Sequence, residues 1–172
     1  MRLRELIRED LPALNTWRND REVVDGLGAA FAFIGPEVDA AWFNAYLQSR
    51  DRNVRLAILN DEDVLVGCCY LLGISWTHRS AEFAIMIGNK ESRGRGFGRF
   101  ATQAMLDHAF QDLQLHRIWL HVNCDNVHAR KLYDRVGFQH EGTLRGAVYK
   151  HGRYLDVDLM AILATAHSSE HV

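Results

Sequence analysis

The segment Arg93-Gly94-Arg95-Gly96-Phe97-Gly98 has the residue types and spacing to hold a phosphate. It follows the apolar run Phe83 to Ile87 and opens a segment of strong helical periodicity, so it reads as a turn between a strand and a helix. Glycines at such a turn expose a row of backbone N–H groups where the helix dipole is positive, a geometry that takes anions. Two nucleotide-binding patterns do not fit. A P-loop runs on into Gly-Lys-Ser/Thr to hold metal and γ-phosphate, whereas Gly98-Arg99-Phe100 stands here. A dinucleotide fold places Gly-x-Gly-x-x-Gly after its first strand, whereas Gly94-x-Gly96-x-Gly98 lies mid-chain.

Arg93-x-x-Gly96-x-Gly98 resembles the pyrophosphate loop of the GNAT superfamily of acyl-CoA N-acyltransferases. Downstream, Asn123-x-x-Asn126-x-x-Ala129-x-x-Leu132-Tyr133-x-x-x-Gly137-Phe138 is similar to the second half of the acetyl-CoA site of that family. Glu141-Gly142-x-Leu144-Arg145 and Gly152-Arg153-Tyr154-x-Asp156 resemble the C-terminal hairpin of its branch related to the ribosomal-protein N-terminal acetyltransferases. The resemblance spans the chain and is densest from Ala81 to Ile162. It implies acetyl-CoA as co-substrate and an acetyl group moved to a primary amine by direct attack. The acceptor is an amino sugar, a polyamine or another small amine, or a protein N-terminus. A non-catalytic acyl-CoA-binding or regulatory domain is the alternative.

The resemblance also assigns roles. Arg93, Gly94, Arg95, Gly96, Phe97, Gly98 and Arg99 would bind the cofactor, with the amides of about Arg95 to Arg99 cradling the pyrophosphate. The pantetheine arm would pair with strand backbone at Ile85, Met86 and Ile87, and Asn126 would contact that arm or start the next helix. Acetyl transfer needs a deprotonated amine, whose free pKa is about 10, and an acid for the departing thiolate. Tyr133 lies seven residues after Asn126 on the same helical face and is the expected acid. Glu82 precedes the loop and is the expected base, with an ordered water, His78 or His121 as alternatives. Cys124 offers an acyl-cysteine route in principle, but the resemblance implies direct attack.

Acceptor specificity is less legible. Trp17-Arg18-Asn19 and Trp42-Phe43 resemble a pattern in relatives that acetylate nucleotide-activated amino sugars, which makes Arg18 and Trp42 substrate-binding candidates. Asp20, Glu22, Asp25, Glu37 and Asp39 cluster around the same segment and would suit a polyamine.

Around these residues the chain reads as a β-α-α-β-β-β-α-β-α-β-β order. Strands are expected at Arg2 to Leu6, Val54 to Leu59, Val64 to Leu72, Ser80 to Ile87, Ile118 to Val122, Phe138 to Tyr149 and Arg153 to Ile162. Asp10 is placed to cap a first helix, and Pro36 starts a second with Val38, Trp42, Ala45 and Tyr46 on its inner face. Asp20 to Gly35 reads as loop. The fold class is therefore α/β (α+β), a single-domain GNAT fold over 1–165 with a tail at 166–172. Its sheet is central, mixed, mostly antiparallel and twisted, with about four helices and a splay between two central strands.

With 172 residues, 48% of them hydrophobic and 24% charged, the chain suits one globular domain. A net charge of −2 argues against a nucleic-acid binder. Cys68 and Cys69 point to opposite faces of a strand and, with Cys124, fit a reducing cytoplasm. No apolar run reaches about 18 residues, so no membrane partner is expected. No Cys-x-x-Cys pair accompanies the nine histidines, and no metal is expected. A homodimer through an exposed edge strand is a further expectation.

Overall fold

The computed structural model describes residues 1–167. Seven strands form one sheet in the order β1-β2-β3-β4-β5-β7-β6. They are β1 (Arg2–Glu5), β2 (Val54–Leu59), β3 (Leu65–Ser75), β4 (Ser80–Ile87), β5 (Arg117–Asn123), β6 (Gln139–Lys150) and β7 (Arg153–Leu163). Every neighbouring pair is antiparallel except β4 and β5. His151 and Gly152 both have positive φ, at 51° and 76°, which closes the β6–β7 hairpin as a tight turn.

The β4–β5 junction is short. Ser80 pairs with Arg117, Ala81 with Ile118 and Glu82 with Trp119, and there the ladder stops. Beyond it β4 stays with β3 as far as Ile87, and β5 stays with β7 as far as Asn123. The two strands part, and the expected splay is present. From Phe83 onward β4 presents an unpaired main-chain edge to the gap.

Helices cover both faces. α4 (Phe97–Asp107) and α5 (Val127–Val136) close over a cluster containing Cys69, Phe83, Ala101, Met105 and Val136. The last turn of α4 widens to π geometry over His108–Asp112. α1 (Leu11–Arg18), α2 (Arg21–Asp25) and α3 (Pro36–Leu47) cover the other face, around Leu14, Phe43, Tyr46, Cys68 and Met86. Cys68 and Cys69 thus enter opposite layers, and all three cysteines are free thiols.

Several local expectations are corrected. The Asp20 to Gly35 stretch is not all loop: Asp20 accepts from the Glu22 amide and starts the short α2. Asp10 stands at the N-cap of α1, but its side chain makes no cap bond to that helix; its carboxylate accepts from both Arg4 Nη atoms at 2.7 Å and from the Ile7 amide at 2.9 Å. On α3 the buried residues are Asp39, Phe43 and Tyr46, while Val38 and Ala45 are exposed. Ala164–His167 forms a sixth helix, α6, with His167 buried and near Asp107, so the first two residues of the expected tail, 166 and 167, are helical. The rest of the expected tail, 168–172, lies outside the described residues. Among the described residues no helix is long and apolar enough to cross a membrane, and no group of three metal-ligating side chains occurs.

Candidate active site

The glycine-rich loop is built for backbone donation. Asn89 caps the short turn Lys90–Ser92, its Oδ1 accepting from the Ser92 amide at 3.1 Å. Gly94 and Gly96 then take φ of 72° and 89°, values that side chains with a Cβ rarely adopt. The first bond of α4 runs from the Phe100 amide to the Gly96 carbonyl, which leaves the amides of Phe97, Gly98 and Arg99 without helical acceptors. Gly98 lets α5 approach, since a Cβ there would sit 3.2 Å from Leu132. Arg95 and Arg99 are exposed. Arg93 instead turns toward α2, with Nη1 3.1 Å from Glu22.

A cavity of about 660 Å³ opens where β4 and β5 part. Of the residues expected from the sequence, Glu82, Ile85, Met86, Asn126, Tyr133, Arg18 and Trp42 line it. Ile87 and the loop from Arg93 to Arg99 lie outside it, and so does His78, on the β3–β4 turn.

The two candidate proton-transfer groups reach the cavity from opposite faces. Tyr133, on α5, is 7% exposed and packs edge-on against Phe83 at 6.5 Å and Phe138 at 5.7 Å. Among the described residues its hydroxyl has no hydrogen-bond partner, and burial pushes its pKa up to about 12. It stays protonated at neutral pH. Glu82 lies on the face covered by α1 to α3, two residues from the Ala84–Met86 edge, and its Oε1 is 3.2 Å from His121 Nδ1. His121 stacks edge-on against Trp119 at 5.2 Å. Thirty-nine positions separate Glu82 and His121, and the β4–β5 register brings them together.

Asn126 is engaged at both ends. Its Oδ1 accepts from the Ala129 amide at 3.1 Å, capping α5, and its Nδ2 donates to the Gly26 carbonyl at 3.1 Å. Two further donors hold the same loop. Asn123 Nδ2 donates to Leu27 O at 3.2 Å. Lys150, 8% exposed, donates from Nζ to the carbonyls of Val24 at 2.8 Å, Asp25 at 3.2 Å and Leu27. No carboxylate bonds to this ammonium, and desolvation lowers its pKa. Asn123 and Lys150 had no sequence signal as loop anchors, because their acceptors are main-chain atoms about a hundred residues away.

Trp17-Arg18-Asn19 divides its work. The Trp17 ring lies flat on Gly88, where a Cβ would come within 1.9 Å of it. Asn19 grips Ile34 on both backbone groups, accepting from its amide at 3.0 Å and donating to its carbonyl at 2.8 Å. Arg18 Nη1 pairs with the buried Asp39, whose other oxygen accepts from Asn15 at 2.6 Å. The acidic residues near this segment are likewise engaged elsewhere. Asp20 and Glu22 hold Lys90, and Asp25 is 2.9 Å from His151. None of Asp20, Glu22, Asp25, Glu37 or Asp39 lines the cavity.

Cys124 Sγ lies 3.2 Å from Asp158 Oδ1, and burial together with that carboxylate raises the thiol pKa to about 11. It is a poor nucleophile at neutral pH.

The chain matches the model of the acetyltransferase (GNAT) domain over residues 1–139. It is 34% identical over 170 residues to a spermidine N(1)-acetyltransferase of Vibrio cholerae serotype O1, covering 96% of this chain and 94% of that protein. It is 28% identical over 162 residues to a putative ribosomal N-acetyltransferase of Bacillus subtilis, covering 94% and 84%. Its fold superposes with a TM-score of 0.92, at 32% identity and 97% coverage of both chains, on the crystal structure of the Vibrio cholerae spermidine N-acetyltransferase in complex with CoA and spermine.

Proposed function

The chain belongs to the GNAT acetyltransferase family and is an acetyl-CoA-dependent N-acetyltransferase, and from that premise we propose that it acetylates a primary amine by direct attack, with Glu82 and Tyr133 as its proton-transfer groups. One observation carries this assignment. Glu82 and Tyr133 line a single cavity at the parting of β4 and β5 and reach it from opposite faces of the sheet.

The donor side is supported by main-chain geometry. The amides at the start of α4 suit a pyrophosphate, and the unpaired edge from Phe83 to Ile87 suits the amides of a pantetheine arm, which would add to the sheet as a short strand. On the acceptor side Glu82 takes the ammonium proton, directly or through water, and the half-exposed His121 beside it relays that proton to solvent. The free amine attacks the thioester carbonyl, and the C–S bond breaks as the tetrahedral intermediate collapses. Tyr133 supplies a proton to the departing thiolate, and the proton that the attacking nitrogen sheds as the amide forms returns to the tyrosinate through solvent. A non-catalytic acyl-CoA-binding domain has no use for this pair of groups and is not favoured.

Similarity to the spermidine acetyltransferases supports a polyamine acceptor. Among the described residues the cavity wall supplies a single carboxylate, Glu82, which seats one ammonium.

The test is thiol release from acetyl-CoA with peptide, polyamine, amino-sugar and other amines, with products identified by mass spectrometry. Amine-dependent release and an N-acetylated product are expected. Acetyl-CoA binding without turnover of any amine would leave a binding module in place of the enzyme.

A further inference from the structure

We infer that the acceptor amine carries an anionic group, a carboxylate or a phosphate, which seats against Arg18 beside Trp42 while the amine reaches Glu82. This rests on the N-acetyltransferase assignment and, on the charge of this chain's own cavity lining, departs from the polyamine acceptor that similarity to the spermidine acetyltransferases supports.

The charge of the acceptor wall carries the inference. A polycation needs several carboxylates along its length, and Glu82 is the only carboxylate that lines the cavity. Of the acidic residues nearby, Asp20, Glu22, Asp25 and Asp39 are bound to Lys90, Arg93, His151 or Arg18, and Glu37 does not line the cavity. Two guanidinium groups lie beside Trp42 on the same side of the sheet as Glu82, and one of them, Arg18, lines the cavity. Arg18 lines the cavity, lies 5.5 Å from the centre of the Trp42 ring, and has only Nη1 engaged by Asp39 among the described residues. Arg55 stands behind the same wall, 4.1 Å from the Trp42 ring and 5.3 Å from those of Tyr46 and Tyr70. Among the described residues no carboxylate pairs with Arg55, and its buried Nε has no hydrogen-bond partner. Two cations and the one carboxylate of Asp39 leave the wall with an excess positive charge in a desolvated, aromatic setting. Such a wall repels a second ammonium and attracts an anion. Arg18 can give that anion a charge-assisted hydrogen bond, and Trp42 and Tyr70 offer flat apolar surface to the body of the molecule.

The wild-type protein should be assayed with acetyl-CoA against spermidine, an uncharged amino sugar, an amino acid with a terminal amine, and phosphate-bearing amines such as glucosamine 6-phosphate. The carboxylate and phosphate members separate the two sources of negative charge. We expect kcat/KM for the better anionic member to exceed that for spermidine by about tenfold or more. R18Q should cut kcat/KM for that member by about tenfold to a hundredfold, through KM, and cut that for the uncharged amino sugar by a clearly smaller factor. Because Arg18 also holds the buried Asp39, R55M provides a second variant that keeps this ion pair, and it should shift KM in the same direction. A preference for spermidine, or equal effects of both variants on charged and uncharged acceptors, overturns the inference and leaves the acetyltransferase assignment standing. Acetylation of no member of the panel overturns both.

Discussion

Replacing Tyr133 with phenylalanine separates catalysis from folding more cleanly than any other change at the site. The ring stays, and with it the edge-on packing against Phe83 and Phe138. Only the hydroxyl goes, and it has no hydrogen-bond partner among the described residues, so stability at neutral pH should change by less than about 0.5 kcal/mol. Loss of a general acid costs about 10²- to 10⁴-fold in rate, or about 3–5 kcal/mol of transition-state stabilisation. The measurement is kcat by thiol release at saturating acetyl-CoA and amine, beside thermal unfolding followed by circular dichroism. The alkaline limb gives an independent check. Burial raises the pKa of Tyr133 from 10.0 to about 12. The unfolded chain therefore ionises first, and the stability tied to this group is whole below pH 10 and drains away as pH rises through 12. Two units correspond to about 2.7 kcal/mol. The phenylalanine variant should escape that part of the alkaline destabilisation. A variant that keeps kcat within about threefold of wild type would remove Tyr133 as the acid.

Gly88→Ala would drive a methyl group into the Trp17 ring, 1.9 Å away; a loss of about 1–3 kcal/mol is expected by chemical denaturation, with a raised acceptor KM because Arg18 follows Trp17. Lys150→Met strips a donor from the carbonyls of Val24, Asp25 and Leu27. A loss of about 1–3 kcal/mol is expected, together with faster amide hydrogen exchange at the α2–α3 junction and a higher acceptor KM. Cys124→Ser should keep kcat within about twofold, because a thiol with its pKa raised to about 11 is protonated at neutral pH, and intact-mass spectra should show no acetylated enzyme in either form.

The donor half of the site was legible in the sequence because main-chain conformation encodes it. Glycines mark positive φ at 94 and 96, Asn126 and Gly137 bracket α5, and the strand Ser80–Ile87 occurs where its alternation placed it. The acceptor half rests on long-range side-chain pairs that leave no periodic trace. On α3 the sequence offers two faces of equal spacing, one through Val38, Trp42 and Ala45 and one through Asp39, Phe43 and Tyr46. Hydrophobicity favours the first. The second is buried, because Arg18 and Asn15 satisfy Asp39 in the interior. The same pairing withdraws Asp39 from the set of carboxylates that had suggested a polyamine. His121 was only an alternative base until the β4–β5 register set it beside Glu82.

The parting of β4 and β5 explains why donor and acceptor can be specified separately. On one face, α4 and α5 supply the loop amides and Tyr133, and the unpaired edge of β4 leads to them. On the other face, α1 to α3 supply Arg18, Trp42 and the pinned loop around Leu27. The two sets meet where the ladder ends, at Glu82. A substitution among α1 to α3 can therefore change the charge of the acceptor wall without touching the main-chain groups that face the donor. Overall identity and superposition report the shared frame, and so they bear more strongly on acetyl-CoA than on the amine. In the proposed site the amine is read by a handful of side chains, and among the described residues these place a guanidinium with no carboxylate partner, Arg55, beside Trp42 and a single carboxylate, Glu82, on the cavity lining.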